Sequence, residues 1–367
     1  MKHVDEYRDP GLCRRLSDEI RRTVSRPRTI MEVCGGQTHG LLHHGIDREL
    51  EGAVSLIHGP GCPVCVTPAE DIDFAIALAR RPGVIVASFG DMLRVPGSRE
   101  SLQQARARGG DVRLVYSPVD AVSLAHRNPE RHVVFFAVGF ETTAPATALA
   151  VQQADRLGLG NFTLLVAHVR VQPAMEAIMQ DEHCRVEGFL AAGHVCTVNG
   201  FASYRSFVER FRVPVVVTGF EPIDLLTGIH ECVRQIEAGV SEVANCYGRS
   251  VREAGNRHAV RLVESIYEAC DRPWRGLATI PQGGTRLREQ WRRFDARKRF
   301  DSVALPVLEP SPCRSGDVLT GRIRPTECEC FGSECTPEKP LGAPMVSSEG
   351  ACAAYYRYAR LPESTTR

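Results

Sequence analysis

The sequence predicts an α/β protein with two doubly wound parallel-sheet domains and an irregular C-terminal region. Three observations carry that prediction. Between about residues 28 and 225, short apolar runs alternate with helical patterns, as they do in βαβ units. The runs are apolar on both faces, which suits parallel strands covered by helices on both sides. A Gly-Phe-Glu turn occurs twice, at Val138–Glu141 and at Thr218–Glu221, each after a strand-like run and before a helix. That echo favours two units over one large sheet.

Taken in order, residues 1–27 form an N-terminal helical segment. Residues 28–120 form a first α/β domain, with strands expected at Thr29–Val33, Val54–Ile57, Val84–Phe89 and Val112–Tyr116. Residues 121–238 form a second, with strands at His132–Val138, Phe162–Ala167, Gly188–Ala192 and Val213–Thr218. All are short and rich in β-branched and aromatic residues. Helical periodicity follows most of them, as at Ala69–Ala79, Ala144–Arg156 and Ile223–Glu237. A long helical stretch is expected over 239–270, and after Trp274 the pattern dissolves. From 301 to 352 the chain is rich in Pro, Gly and Cys and has little periodicity. Such a segment needs an organiser other than an apolar core, and a metal centre would supply one.

Composition narrows the function. The 367 residues carry a net charge of +1 and no sustained basic stretch, which argues against a nucleic-acid partner. No run approaches the ~18 apolar residues of a membrane span. The opening MKHVDEYRDPG lacks the apolar core of a secretory leader, so the cytoplasm is the expected compartment. No GxxxxGK[ST] phosphate loop occurs. Fourteen cysteines in a reducing compartment point to metal or redox chemistry before structural disulfides. Cys13, Cys184, Cys196, Cys232, Cys246 and Cys270 stand singly and read as small buried apolar residues.

The unusual residues fall at strand ends. Cys34-Gly-Gly-Gln-Thr-His39 follows the first strand, and His58-Gly-Pro-Gly-Cys62-Pro-Val-Cys65 follows the second. Ser88-Phe-Gly-Asp91 ends the third and Ala192-Gly-His194 the seventh. Ligands of open α/β sheets bind at the carboxyl ends of strands, so these loops should converge. Cys62 and Cys65, on a turn entering a helix, suit a dithiol/disulfide pair; a zinc half-site is the alternative. Cys34 is a thiolate ligand, a nucleophile or a buried strand-end thiol. His39 lies nearby, but i and i+5 on one loop does not diagnose a cysteine protease. His39, Asp91 and His194 are candidate polar members of the cleft. Glu141 and Glu221 read as carboxylates at helix N-termini, where the dipole favours them.

Cys313, Cys328, Cys335 and Cys352 are spaced C-x14-C-x6-C-x16-C. Four thiolates suit a [4Fe-4S] cluster and equally a four-cysteine zinc site. Cys330 is a fifth candidate ligand on spacing alone.

The chain resembles the HypD family of [NiFe]-hydrogenase maturation proteins along nearly its whole length. The resemblance rests on Met31–His39, Ile57–Cys65, Ser88–Asp91, Val138–Thr143, Thr218–Pro222, Thr326–Cys328 and Met345–Tyr356, in that order. It implies two α/β domains and a C-terminal [4Fe-4S] region with the cluster on Cys313, Cys328, Cys335 and Cys352, leaving Cys330 a bystander. It implies Cys34 as the iron-binding thiol, with Cys62 and Cys65 as the redox pair. The implied task is assembly of the Fe(CN)2CO group, with iron shared with the chaperone HypC and cyanide delivered from the thiocyanate of HypE. Two rival readings make different demands: a free-standing iron–sulfur disulfide reductase in which Cys34 is structural, and a zinc-stabilised α/β binding protein.

Overall fold

A computed structural model describes residues 5–306 and 311–359. Eleven strands are present among them: β1 (Arg28–Glu32), β2 (Val54–His58), β3 (Val84–Ser88), β4 (Val112–Leu114), β5 (His132–Gly139), β6 (Phe162–His168), β7 (Gly188–Ala192), β8 (Val215–Thr218), β9 (Val243–Asn245), β10 (Tyr267–Pro273) and β11 (Thr279–Leu287). The first sheet has the order β2-β1-β7-β8-β9 and the second β4-β3-β5-β6. Every pairing in both is parallel. The doubly wound α/β prediction is therefore correct, and all eight expected strands exist. β5 and β8, which are central, and β6 are buried almost throughout, which explains their unbroken apolar runs. β4 stops at Leu114 because it is an edge strand: Tyr116, expected within it, is 87% exposed.

Chain order and sheet order differ. The boundary expected near residue 120 falls between β4 and β5, which belong to one sheet, while β1 and β2 pair in the other with β7 and β8. The chain leaves the first sheet after β2, builds the whole second sheet, and returns at β7. Periodicity identifies a strand but not its neighbour, so this excursion was not legible. One copy of the Gly-Phe-Glu turn ends β5 in the second sheet and the other follows β8 in the first.

The expected long helix over 239–270 is corrected. Only Arg257–Ile266 is helical, capped by the Asn256 side chain on the N–H groups of His258 and Ala259. β9 precedes it, and β10 begins at Tyr267. The segment after Trp274 does not dissolve: β10 and β11 form an antiparallel hairpin with a bulge between Cys270 and Arg272. Pro281, Gly283 and Gly284 hide the strand signal of β11. Trp274 is buried at the start of the turn that joins β10 to β11, and its indole donates to the Gly283 carbonyl at 3.0 Å.

At the N-terminus, the helix Pro10–Thr23 lays Ile20 and Leu16 against the helix Pro222–Glu237. At the other end, the helix Ala351–Tyr358 packs on the helix Gly35–His43. That contact brings the cysteine-rich tail back to the first strand's loop.

Candidate functional site

Cys34 lies two residues past β1 and begins the helix Gly35–His43 as its N-cap. It is 2% exposed. Its N–H donates to Glu32 Oε2 at 2.8 Å. Glu32, fully buried in a strand, also accepts from the Thr38 hydroxyl and from His58 Nδ1 at 2.8 Å. One carboxylate therefore satisfies donors from the strand, the helix and the end of β2, which fixes the Cys34 turn.

The Cys34 sulfur is 3.5 Å from His194 Nε2. His194 is the second residue of the helix Gly193–Asn199, and its ring stacks on Phe220 at 5.0 Å. Burial lowers the His194 pKa, so the ring is neutral. Burial raises the Cys34 pKa strongly, and the nearby carboxylates Glu32 and Glu349 add to it. The resting pair is thus a protonated thiol beside a neutral imidazole. A metal ion could displace that proton.

The β2 loop lies directly on this turn. Gly59 N–H donates to the Glu32 carbonyl at 2.9 Å, and Gly35 N–H to the Gly61 carbonyl at 3.0 Å. A Cβ on Gly61 would lie 2.1 Å from the Cys34 nitrogen, so only glycine allows this approach. The next residue, Cys62, is disulfide-bonded to Cys65 across a Cα separation of 5.3 Å. Cys62 caps the helix Pro63–Val66, its sulfur accepting from Cys65 N–H at 3.3 Å. Both cysteines are buried.

That short helix also packs against the turn Ala343–Met345, with Val64 in one apolar cluster with Ala343 and Val346. Pro344 and Met345 line a cavity whose walls carry Cys313, Cys328, Cys330, Cys335 and Cys352. One turn of chain therefore separates the disulfide from the thiol cavity. The Arg275 backbone N–H donates to the Val66 carbonyl, at the end of that short helix, at 2.8 Å.

Within the cavity, burial pushes the Cys352 thiol up, and Cys313, Cys335 and Cys328 push it further. Cys335 accepts from Leu341 N–H at 3.4 Å. Among the described residues, no three His, Cys, Asp or Glu side chains converge as one metal ion would need. The thiols instead line the walls of a shared space, backed by Val318, Leu341 and Met345.

Of the expected polar members, His194 meets Cys34. His39 turns to the C-terminal helix, edge-on to Tyr358 at 5.2 Å and stacked on His43 at 5.5 Å. Asp91 is paired with Arg94 at 3.1 Å, and its charge bears on Glu349, not on Cys34. Glu221 is the N-cap of the helix Pro222–Glu237 and binds Arg8, as its structural reading requires. Glu141 accepts from Val171 N–H at 3.1 Å, at the start of the helix Val171–Met179, not of the helix that follows it in sequence. Sequence reasoning missed Glu32, His58 and Glu349. The signal for Glu32 was present: a carboxylate inside an otherwise apolar strand is unfavourable unless its partners are fixed.

The profile of one protein family, HypD, described as the hydrogenase formation hypA family, matches residues 11–359. The hydrogenase maturation factor HypD of Rhodobacter capsulatus is 47% identical over 372 residues, covering 98% of each chain. That of Azotobacter vinelandii is 47% identical over 369 residues, covering 98% of this chain and 97% of its own. That of Escherichia coli strain K12 is 45% identical over 368 residues, again covering 98% of each.

Proposed function

The chain belongs to the HypD family of hydrogenase maturation factors, and on that premise we propose that it is the scaffold on which the Fe(CN)2CO group of a [NiFe]-hydrogenase is assembled. The observation that carries the reading is the Cys34 sulfur 3.5 Å from His194, with the Cys62–Cys65 disulfide on the loop pressed against the same turn. Cys34 holds the iron, which is cargo, and shares it with a thiolate of a HypC-type chaperone; thiolates suit a soft, low-spin iron. His194 accepts the Cys34 proton as the metal binds. A HypE-type partner brings cyanide as a thiocyanate.

Cys62 and Cys65 supply the electrons. Release of cyanide from R–SCN breaks an S–C bond and takes up two electrons and two protons, giving R–SH and HCN. The dithiol loses two electrons and two protons as it closes to the disulfide, so the step balances. Cys313, Cys328, Cys335 and Cys352 would hold a [4Fe-4S] cluster. Their fit is the thiol-lined, apolar-backed cavity together with the Leu341 N–H aimed at Cys335. Such a cluster supplies single electrons when bound. This is assembly work with a redox step, and we place it in the cytoplasm, where free thiols persist.

A free-standing disulfide reductase would leave Cys34 a structural residue; the Cys34 sulfur 3.5 Å from His194 Nε2, on the turn that the disulfide loop packs against, favours the scaffold reading. The test is infrared spectroscopy of the anaerobically purified protein with its chaperone. Bands of iron-bound cyanide and carbon monoxide are expected, and Cys34→Ala should abolish them. Hydrogenase maturation that survives Cys34→Ala would refute the scaffold role.

A further inference from the structure

The two Gly-Phe-Glu turns use their phenylalanines differently. Phe140, after β5, is 4% exposed and packs on Trp274 at 6.1 Å as a core residue. Phe220, after β8, is half-buried and stacks on His194, with ring centroids 5.0 Å apart and planes 14° apart. That spacing lies in the favourable ~4.5–7 Å range for aromatic pairs.

The torsion that turns a histidine ring is intrinsically broad, so a neighbour has to set the plane of the ring. At metal sites a hydrogen bond from the second ring nitrogen to a carbonyl or carboxylate usually does this. Among the described residues His194 has no such bond: its ring nitrogens meet only the Cys34 sulfur, Nε2 at 3.5 Å and Nδ1 at 4.0 Å. No charge or hydrogen bond contributes to its pKa, which burial alone lowers. The sulfur lies close to both nitrogens, so that contact does not fix the plane either. The flat face of Phe220 is the feature that does.

Phe220 is itself held. A Cβ on Gly36, two residues past Cys34, would lie 3.2 Å from Phe220 Cδ1, so the ring rests on the helix that Cys34 begins. On another side Phe220 meets Tyr247 edge-on at 6.1 Å. Tyr247 in turn lies over Gly193 and Gly219, where a Cβ on either would lie 2.6 Å from its ring. Only glycine admits so close an approach. The rings of His194, Phe220 and Tyr247 thus form one packed set against the Cys34 turn.

We propose that Phe220 is a positioning residue of the iron site: its ring sets the plane of the His194 imidazole and so keeps both ring nitrogens beside the Cys34 sulfur. This role rests on the reading of Cys34 as the iron thiol. It assigns to the second Gly-Phe-Glu turn a part in the site that the first does not share.

The test is infrared spectroscopy of the full-length protein purified anaerobically with its chaperone, read as the intensity of the iron-bound cyanide and carbon monoxide bands. Phe220→Leu, which keeps apolar bulk but removes the flat face, should weaken the bands roughly two- to tenfold. Phe220→Tyr, which keeps the ring, should hold them near wild-type intensity. His194→Ala should weaken them at least as much as Phe220→Leu does, because Phe220 acts through His194. Phe220→Met takes its place if Phe220→Leu fails to fold. Bands unchanged in Phe220→Leu, bands as weak in Phe220→Tyr as in Phe220→Leu, or a smaller loss in His194→Ala would each overturn the role of Phe220 and leave Cys34 as the iron thiol. No bands in the wild-type protein would overturn the scaffold reading, and this role with it.

Discussion

Replacing Gly61 with alanine tests whether the loop of the Cys62–Cys65 disulfide is pressed onto the Cys34 turn. The added Cβ would lie 2.1 Å from Cys34 N, 2.4 Å from Cys34 Cα and 2.4 Å from Val33 C. Relief requires a displacement of about 1 Å, because carbon contacts are comfortable only near ~3.5–4.0 Å. All three obstructing atoms are backbone, so no side-chain rotation helps. That backbone is pinned by Cys34 N–H on Glu32 and by Val33 N–H on the Leu190 carbonyl at 3.3 Å. Gly61 itself does not have a positive φ, so alanine's own conformation adds no penalty and the contact is isolated. Overpacking commonly costs ~1–3 kcal/mol, and with rigid atoms on the far side the upper end, ~3 kcal/mol, applies.

The assay is denaturant unfolding under anaerobic, reducing conditions, with Gly160→Ala as control. Nothing lies within 4 Å of a Cβ at Gly160, so that change should leave stability equal or raise it by up to ~1 kcal/mol. A second readout is alkylation of Cys34, which is 2% exposed in the native fold and should become reactive once the loop lifts. The reasoning is refuted if Gly61→Ala unfolds within ~0.5 kcal/mol of wild type and Cys34 remains protected.

The remaining predictions are shorter. Glu32→Gln keeps the shape but turns an NH2 group toward donors that Glu32 now satisfies at Cys34, Thr38 and His58; a loss of ~2 kcal/mol is expected in the same unfolding assay. As a test of the proposed cluster, Gly342→Ala should lower the iron content and broad visible absorption of the anaerobic protein, since a Cβ there would lie 2.1 Å from the Cys313 sulfur. Cys330→Ser should leave both intact, because the proposed ligand set is Cys313, Cys328, Cys335 and Cys352. Acid should destabilise the fold below about pH 6.5, because burial holds His168 near a pKa of about 3 and His132 near about 4. A folded pKa depressed below the unfolded value means that the unfolded chain binds the proton first. Full stability therefore holds above pH 6.5 and falls by up to ~1.4 kcal/mol per pH unit per histidine as pH drops toward the folded values. Unfolding midpoints between pH 7.5 and pH 5 check this, and His132→Asn should flatten the slope.

What was legible followed from period and position. Both-face apolar runs located eight of the nine strands of the two parallel sheets, all but the three-residue β9, and strand-end placement gathered Cys34, His194, Cys62 and Cys65. What failed depended on partners. The insertion of β3 to β6 between β2 and β7 leaves no local trace, and the β10–β11 hairpin is obscured by Pro281, Gly283 and Gly284. His39 looked like a neighbour of Cys34 because the two are close in sequence. One turn and a half of helix rotates it toward Tyr358 instead. Glu349 could not be placed at all without knowing that the tail folds back on the helix Gly35–His43.

That fold-back gives the thiol cavity a consequence for Cys34 beyond electron supply. Cys352 sits in the helix Ala351–Tyr358, and three residues on, Tyr355 meets the His58 ring edge-on at 5.4 Å. His58 is hydrogen-bonded to Glu32, and Glu32 holds the Cys34 N–H. Each link is a packed or hydrogen-bonded contact between buried groups, so the helix carrying Cys352 forms part of the wall that fixes the Cys34 turn. The tail is anchored by buried apolar side chains, Val318, Leu319, Met345, Val346 and Ala354 among them. A cluster on the four cysteines, as proposed, would add a further anchor to this helix, and through Tyr355 and His58 it would bear on the geometry in which Cys34 faces His194. An empty cavity and a displaced Cys34 are then one defect, and they should appear together whichever end is perturbed.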